Sequence, residues 1–269
     1  MDFPYDQPTA APKPRARVSV RTTRDAEPHA QSVRAREPPT LAGVDECPKG
    51  RVAVTESRGR LGACVYPNWV KLMQSVGHAA LIAVDIPIGL PTNGARRCDL
   101  EARRYLGVPR GSSVFPTPVR ACLTPGPYDL LGARHRRIDG RGLSKQAFNL
   151  LPKIREVDHY LLKHPRDSSR IHEVHPEVSF ATWNDGCALR HRKTCVTGRR
   201  ERERLIDLNW IGERERLWAL VQGNGCRRDD LNDALAALWT VRRIDSGMAR
   251  RLPSIVELDE RGLRMEIAA

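Results

Sequence analysis

The chain has 269 residues, enough for one large domain or two small ones, and its 45 Lys and Arg against 32 Asp and Glu give a net charge of +13. Hydrophobic residues make up 40% and aromatic residues only 5%, so a core has to be built mostly from Leu, Val, Ile and Ala. No apolar run approaches the ~20 residues of a membrane-spanning helix and the seven cysteines form no CxxC pair, which argues against a helical membrane protein and the common zinc modules.

The excess positive charge and the start of the chain make two further predictions. Positive charge attracts polyanions, most often nucleic acid, although a high Arg content also follows from genome composition. No secretory signal pattern opens the chain, so we expect a cytoplasmic setting. Residues 1–40 combine seven prolines with seven Lys or Arg and five Asp or Glu, which is typical of a disordered tail, and residues 41–269 keep +11 of the charge.

From residue 41 the pattern predicts an α/β domain. Three short stretches, "LAGVD", "RVAVTE" and "LGACVYP", are separated by Gly-containing turns and indicate hairpin strands. A helix is predicted over 68–76, and "ALIAVDIPIGLP" is typical of a strand covered on both faces. An insertion follows over about 91–165, with helices predicted at 98–107 and at 144–162. The second of these helices is expected to be interrupted or opened at Pro152. After the insertion the pattern predicts a strand over 170–180, a helical region over 198–221 and a helix over 228–244. This order favours one domain over 41–269 with a mixed sheet.

Carboxylates recur at the ends of these elements. Asp45 and Asp85 end strands, and further acids occur around the strand at 170–180 and at the start of the last helix, namely Glu173, Glu177, Asp229, Asp230 and Asp233. Because ligands gather at the carboxyl ends of parallel strands, several of these side chains could meet. Clustered carboxylates need a compensating cation, and Mg²⁺ prefers such oxygen ligands.

Each acid also has a structural interpretation. Asp229 in the first helical turn is typical of capping and dipole compensation, and Asp45 could shape a turn. Asp85 is harder to explain in this way, because a charge next to the apolar run 81–84 would be costly without a partner.

Six segments carry a family resemblance: "GVDECPKG", "VDIPIGLP", "SSVFPTPVR", "PKIREVD", "EVHPEVSF" and "DDLNDALAAL". In this order they resemble the domain-of-unknown-function 429 family, described as predicted nucleases with an RNase H-like fold. The resemblance implies an RNase H-like five-stranded mixed sheet of three antiparallel and then two parallel strands, flanked by helices, with a helical insertion after the fourth strand. Carried over by motif, it implies metal-binding acids at Asp45, Asp85, Asp230, Asp233 and Glu173, with Glu177 a second candidate.

Basic residues crowd the insertion and its flanks. We expect six of them to contact a phosphate backbone: Arg96, Arg97, Arg103, Arg104, Arg120 and Lys153. A solvated face or local salt bridges would explain them equally well. His175 is a candidate for proton transfer, although a structural role is the more common one for a lone histidine.

These observations favour a nuclease that hydrolyses phosphodiester bonds of DNA or RNA by a two-metal mechanism with Mg²⁺ or Mn²⁺. Its predicted catalytic residues are Asp45, Asp85, Glu173, Asp230 and Asp233. One alternative is a nucleic-acid-binding module that keeps the fold without catalysis. Another is phosphotransfer to a small molecule, since actin-like kinases share this sheet, but the chain has no Gly-rich phosphate loop. The sequence does not indicate an oligomeric state.

Overall fold

The structure is a computed structural model that describes residues 38–269, so nearly all of the tail predicted to be disordered over 1–40 lies outside the described residues. The strands are β1 (Leu41–Cys47), β2 (Gly50–Ser57), β3 (Arg60–Tyr66), β4 (Leu81–Val84), β5 (Ile171–Glu173), β6 (Arg251–Leu258) and β7 (Arg264–Ala268). The helices are α1 (Trp69–Val76), α2 (Arg97–Leu106), α3 (Tyr128–Asp139), α4 (Lys145–Lys163), α5 (Pro176–Trp183), α6 (Val196–Asn209), α7 (Glu213–Val221) and α8 (Arg228–Asp245).

Strands β1 to β5 form one mixed sheet in the order β3-β2-β1-β4-β5. β1 pairs with β2 and β2 with β3 in antiparallel fashion, whereas β4 lies parallel to both β1 and β5. The hairpin between β2 and β3 turns through Arg58 and Gly59, whose positive φ angles of 50° and 71° suit the twist of paired strands. The predicted α/β fold, with three antiparallel strands followed by two parallel ones, is confirmed. Helices α2, α3 and α4 lie between β4 and β5.

Alternating side chains of β1 and β4 pack into cores on opposite faces of the sheet. Ala42 and Val84 join the core that contains residues of α1 and α4, while Leu41 and Ala83 join the core that contains residues of α8. Because side chains two positions apart share a face, Asp45 is on the α8 side, and continuing the alternation past β4 places Asp85 there as well. The sheet therefore directs both carboxyls toward the same helix.

Helix α8 lies directly against β1 at Gly43. A Cβ atom there would stand only 2.2 Å from the backbone N of Leu238 and 2.3 Å from the carbonyl O of Ala234. No side chain larger than hydrogen fits this gap, so glycine is what allows the two backbones to approach. Since Asp233 precedes Ala234, this contact also carries the acidic start of α8 toward Asp45.

Two local predictions differ from the structure, and two further features had not been predicted. The strand predicted over 170–180 is wrong beyond Glu173, because Pro176 occupies the first turn of α5, where its fixed φ favours a helix. Helix α4 runs without a break through Pro152. Helix α3 and the β6–β7 hairpin had no sequence prediction; Ala268 of β7 also forms a parallel bridge with Val174, next to β5.

Candidate active site

Asp45 and Asp85 lie side by side at the carboxyl ends of two parallel strands. Val44 of β1 is in register with Val84 of β4, so the next residue on each strand is one of these acids. The pairing continues one step further, because the Asp85 amide donates to the Val44 carbonyl at 3.1 Å. The register of the parallel strands thus brings together two acids that are 40 positions apart in the sequence.

Asp230 and Asp233 lie in the first turns of α8, which packs against the sheet face of Asp45 and Asp85. We call Asp45, Asp85, Asp230 and Asp233 the acidic cluster. Asp230 accepts a hydrogen bond from the Arg227 amide at 2.8 Å, so part of its role is to cap the helix. Asp233, one turn further on, is only 1% exposed, and Asp45 is 5% exposed. The charges of Asp85, Asp230 and Asp233 all act on the Asp45 carboxyl, so the four acids, which come from the ends of two strands and from one helix, lie close together.

Burial raises the pKa of every carboxyl in the acidic cluster, and repulsion by other members of the cluster adds to this at Asp45, Asp85 and Asp230. Burial is the largest cause for Asp45, followed by the charges of Asp233 and Asp85, and its pKa lies well above its usual value. Burial and the charge of Asp233 raise the pKa of Asp85 to about 7, although a hydrogen bond with Asp45 lowers it in part. Burial raises the pKa of Asp230 to about 6. The hydrogen bond between Asp45 and Asp85 requires that one of these two carboxyls is protonated, and Asp45 is the more favourable site for the proton.

Lys193 places a positive charge against the acidic cluster. It lies between α5 and α6, and its ammonium donates a short hydrogen bond to Asp233 Oδ2. Asp45 and Asp85 also raise the pKa of Lys193, after the larger effect of Asp233. Within residues 38–269, Asp233 Oδ1 is buried without a hydrogen-bond partner. Lys193 was not predicted as a site residue, and its only signal in the sequence is its place in the basic stretch "RHRK".

Two adjoining recesses open onto these groups. The first recess is lined by Asp45, Asp85, Asp230 and Gln146, and the second by Asp233, Ser112, Ser113, Arg192 and Thr194. Lys193 and His175 line both. His175 Nε2 lies 3.3 Å from the Ser113 carbonyl, and burial lowers the pKa of the ring, which favours its neutral form. The second recess thus joins hydroxyl and cationic groups to the edge of the acidic cluster.

Glu173 stands apart from the acidic cluster because Arg96 occupies both of its oxygens. The two Arg96 Nη atoms donate to Glu173 at 2.7 Å each, and Arg96 Nη2 also donates to Asp99 at 2.6 Å. The Ile88 amide adds a 2.6 Å hydrogen bond to Glu173. With its oxygens bound in this way, Glu173 has little capacity to hold a metal. Arg96 is 2% exposed, which removes it from any surface that a phosphate backbone could reach.

Glu177 is likewise paired with arginines. Arg202 donates to both of its oxygens at 2.5 and 2.7 Å, and Arg110 lies 2.5 Å from one of them. Burial would raise the pKa of Glu177, but the two guanidiniums hold it below the usual value. We call Asp99, Glu173 and Glu177 the arginine-paired carboxylates. The structure gives Glu177 a charge-balancing role where the sequence suggested a metal ligand.

The other predicted phosphate-binding residues fall into two groups. Three of them are engaged within the chain: Arg103 with the Val114 carbonyl at 2.5 Å, Arg120 with Asp158 at 2.8 Å, and Lys153 with Glu46 at 2.7 Å. Arg97 and Arg104 are exposed on α2, and Arg97 forms a 2.8 Å ion pair with Glu101. Of the six predicted residues, Arg97 and Arg104 are therefore the ones that remain exposed, and Arg192, which was not predicted, is exposed at the second recess.

The donor chemistry of the acidic cluster suits a hard divalent cation. All of its side-chain donors are carboxylate oxygens, and the unpartnered Asp233 Oδ1 provides a buried acceptor. Even so, the part of the chain that the structure describes holds no group of three Asp, Glu, His or Cys side chains arranged as a metal site. Asp45, Asp85 and Asp233, which line the two recesses, are the residues that would hold such a cation.

Comparison with known proteins assigns the chain to a family. No curated protein and no solved structure matches it. None of the helices within residues 38–269 is long and apolar enough to cross a membrane. A family model described as "Protein of unknown function (DUF429)" matches residues 43–257, which is well over half of the sequence and includes every member of the acidic cluster. The chain therefore belongs to the DUF429 family.

Proposed function

We propose that this protein is a metal-dependent nuclease that hydrolyses phosphodiester bonds of nucleic acid. The observation that carries the proposal is the convergence of Asp45, Asp85 and Asp233 from two parallel strands and a helix into one buried group. Buried like charges raise the free energy of the folded chain unless protons or cations compensate them. A costly cluster of buried carboxylates therefore supports a functional role in binding a cation.

Each residue of the acidic cluster has a defined task in this proposal. Asp45, Asp85 and Asp233 would hold the cation, and the Oδ1 atom of Asp233 is a buried acceptor without a partner among the described residues. Asp230, which is tied to the start of α8, borders the first recess. Divalent cations held by carboxylates activate water and neutralise the charge that develops on a phosphodiester. Neutral His175, which borders both recesses, is placed to accept or pass a proton.

The surroundings suit a polyanionic substrate. Residues 41–269 carry a net charge of +11, so a phosphate chain is attracted to the domain despite the local acid. Arg192 is exposed beside the acidic cluster, and the Ser112, Ser113 and Thr194 hydroxyls line the same recess. Arg96, Glu173 and Glu177 have no part in this proposal.

Cleavage of labelled nucleic acids tests the proposal. Single-stranded, duplex, hybrid and branched substrates are incubated with the full chain in Mg²⁺ or Mn²⁺, next to Asp85→Asn and a matched Asp229→Asn variant. Both substitutions replace one aspartate by asparagine. Asp229 lies in the first turn of α8, next to Asp230, but is not a member of the acidic cluster. We expect Asp85→Asn to lose at least about 100-fold in rate and Asp229→Asn to stay near wild type. Equal cleavage by all three proteins would show a contaminating nuclease and refute the proposal.

A non-catalytic nucleic-acid-binding module is the second candidate. The ion pair between Lys193 and Asp233 favours it, because an internal ammonium offsets part of the cluster's charge without a metal. This candidate predicts binding that Asp85→Asn leaves unchanged, with no cleavage of any substrate in either metal. The same set of incubations, read by both binding and cleavage, separates the two functions.

A further inference from the structure

We propose that Lys193 is an internal counter-ion that competes with a divalent cation for Asp233 and moves to the second recess when the cation binds. The inference rests on the metal site of the proposed nuclease. It concerns how that site is kept charge-balanced when no metal is bound. In this role Lys193 is a positioning residue, because it acts through Asp233.

The contact geometry supports an exchangeable pair. The Lys193 side chain is 39% exposed, whereas Asp233 is 1% exposed, so the lysine reaches inward from the surface to a carboxylate that cannot move outward. Its ammonium takes Oδ2 and leaves Oδ1 without a partner among the described residues. The pair therefore satisfies half of the buried carboxylate, and a cation that binds both oxygens can displace it.

The choice of lysine is unusual in this chain. Only seven of its 45 basic residues are lysines, and the most deeply buried basic partners of carboxylates are Arg51, Arg96 and Arg202. Arginine binds a carboxylate through two parallel hydrogen bonds, while lysine presents one compact, strongly hydrated charge. A lysine at Asp233 thus gives charge balance without a two-point grip.

The second recess gives the released ammonium a place to go. Lys193 already lines both recesses, so a rotation of its side chain exchanges Asp233 for the neighbourhood of Arg192 and Thr194. Two cationic side chains there would face the same anionic ligand. Metal binding and phosphate binding are then coupled through one side chain, since the first releases the group that serves the second.

Calorimetric titration of the full chain with Mn²⁺ alone tests the inference without nucleic acid. Lys193→Met removes the competitor, and we expect Mn²⁺ to bind about tenfold more tightly. Lys193→Arg strengthens the grip on Asp233, and we expect weaker binding than in wild type. Lys163→Met, which removes the same charge from the exposed end of α4, serves as the matched control and should leave the affinity unchanged. Affinity in Lys193→Met equal to or below that of wild type overturns the inference.

A labelling measurement on the wild-type chain covers the case in which a Lys193 variant does not fold. Acylation of individual lysines by an N-hydroxysuccinimide ester is followed by mass spectrometry with and without Mn²⁺. We expect Mn²⁺ to accelerate labelling of Lys193 several-fold and to leave Lys163 unchanged. If Lys193 labelling does not change while Mn²⁺ binds and Asp85-dependent cleavage occurs, the counter-ion role is refuted and the nuclease stands. If the chain binds no Mn²⁺, both fail.

Discussion

Two groups of buried carboxylates border the same recesses and differ in how their charge is balanced. The arginine-paired carboxylates number three, and they meet three guanidiniums, those of Arg96, Arg110 and Arg202. The acidic cluster has four carboxylates, and its close ion pair is with the single ammonium of Lys193. Burial alone does not mark a functional carboxylate, because both groups are buried. What distinguishes the acidic cluster is its surplus of negative charge, which the fold leaves for protons or a cation to offset.

The largest effect is expected when one of the arginine-paired carboxylates loses its arginine. Arg202→Met leaves Glu177 buried with Arg110 as its remaining partner, and we expect a loss of about 3 kcal/mol in the free energy of unfolding. The Arg202 side chain is 1% exposed and also donates to the Gly198 carbonyl at 2.6 Å, so water cannot replace it. Urea unfolding monitored by circular dichroism measures the change. Arg200→Met, on the exposed side of the same helix, is the control and should alter stability by less than about 0.5 kcal/mol.

The acidic cluster depends on a backbone contact more than on ion pairs, and Gly43→Ala tests this. The added methyl group meets α8 backbone atoms at 2.2 and 2.3 Å, so helix and strand must separate. We expect a loss of about 2 kcal/mol in unfolding free energy and weaker Mn²⁺ binding, because Asp233 moves away from Asp45. Gly132→Ala in α3, where a Cβ has open space, should instead be neutral or slightly stabilising. Mn²⁺ binding that survives Gly43→Ala unchanged would separate the cluster from this contact.

A surplus of buried acid also predicts a gain in stability on neutralisation. The pKa of Asp85 rises from 3.8 in the unfolded chain to about 7 in the folded chain. Between about pH 4 and 7, therefore, the folded chain keeps a proton on Asp85 that the unfolded chain has already released. Stability from this group is therefore present below pH 4 and is lost as the pH rises through 7. Without metal, we expect Asp85→Asn to be more stable than wild type by about 1 to 2 kcal/mol at pH 8, with no difference below pH 4.

Asp259→Asn gives the opposite sign and serves as the contrast. Its carboxylate accepts hydrogen bonds from the amides of Leu90, Arg261 and Leu263 at 2.8 to 2.9 Å, and with Arg120 these hold the pKa below the usual value in spite of burial. The substitution should destabilise the chain at pH 8, and the loss should shrink as the pH falls below 4. If both variants lose stability at pH 8, the acidic cluster carries no surplus charge.

The contrast between the two groups explains what could be predicted from the sequence. Asp45 lies near the end of an apolar strand, Asp85 follows another, and Asp233 lies beside the apolar stripe of α8, so the pattern indicated that these acids could meet, and the family resemblance singled them out as one set. Alternation along the strands can be read from the sequence, whereas the strand order that brings the acids together was implied by the family resemblance. Their catalytic role remains a proposal.

The partners of the arginine-paired carboxylates were not predictable in the same way. Arg96 and Glu173 are 77 positions apart, and nothing in a sequence with so many arginines indicates which one a given acid will bind. Lys193 lies in a connecting segment without periodicity, so only tertiary structure reveals its contact with Asp233. The β6–β7 hairpin was not predicted because the apolar residues Ile255 and Val256 are adjacent, which breaks the alternation that usually marks a strand.

The smallest expected effect concerns the exposed arginines that face a substrate. Arg192→Ala removes one cation from the second recess, and we expect nucleic-acid affinity to fall a few-fold, by about 0.5 to 1 kcal/mol, with the salt dependence of log K reduced by about one counterion. Folding stability should not change, in contrast to Arg202→Met. Arg60→Ala is the matched control, since Arg60 pairs with Ser57 at the opposite end of the sheet from Asp45. Equal losses from both variants, measured by fluorescence anisotropy over a range of salt concentrations, would mean that overall charge, and not this recess, attracts the nucleic acid.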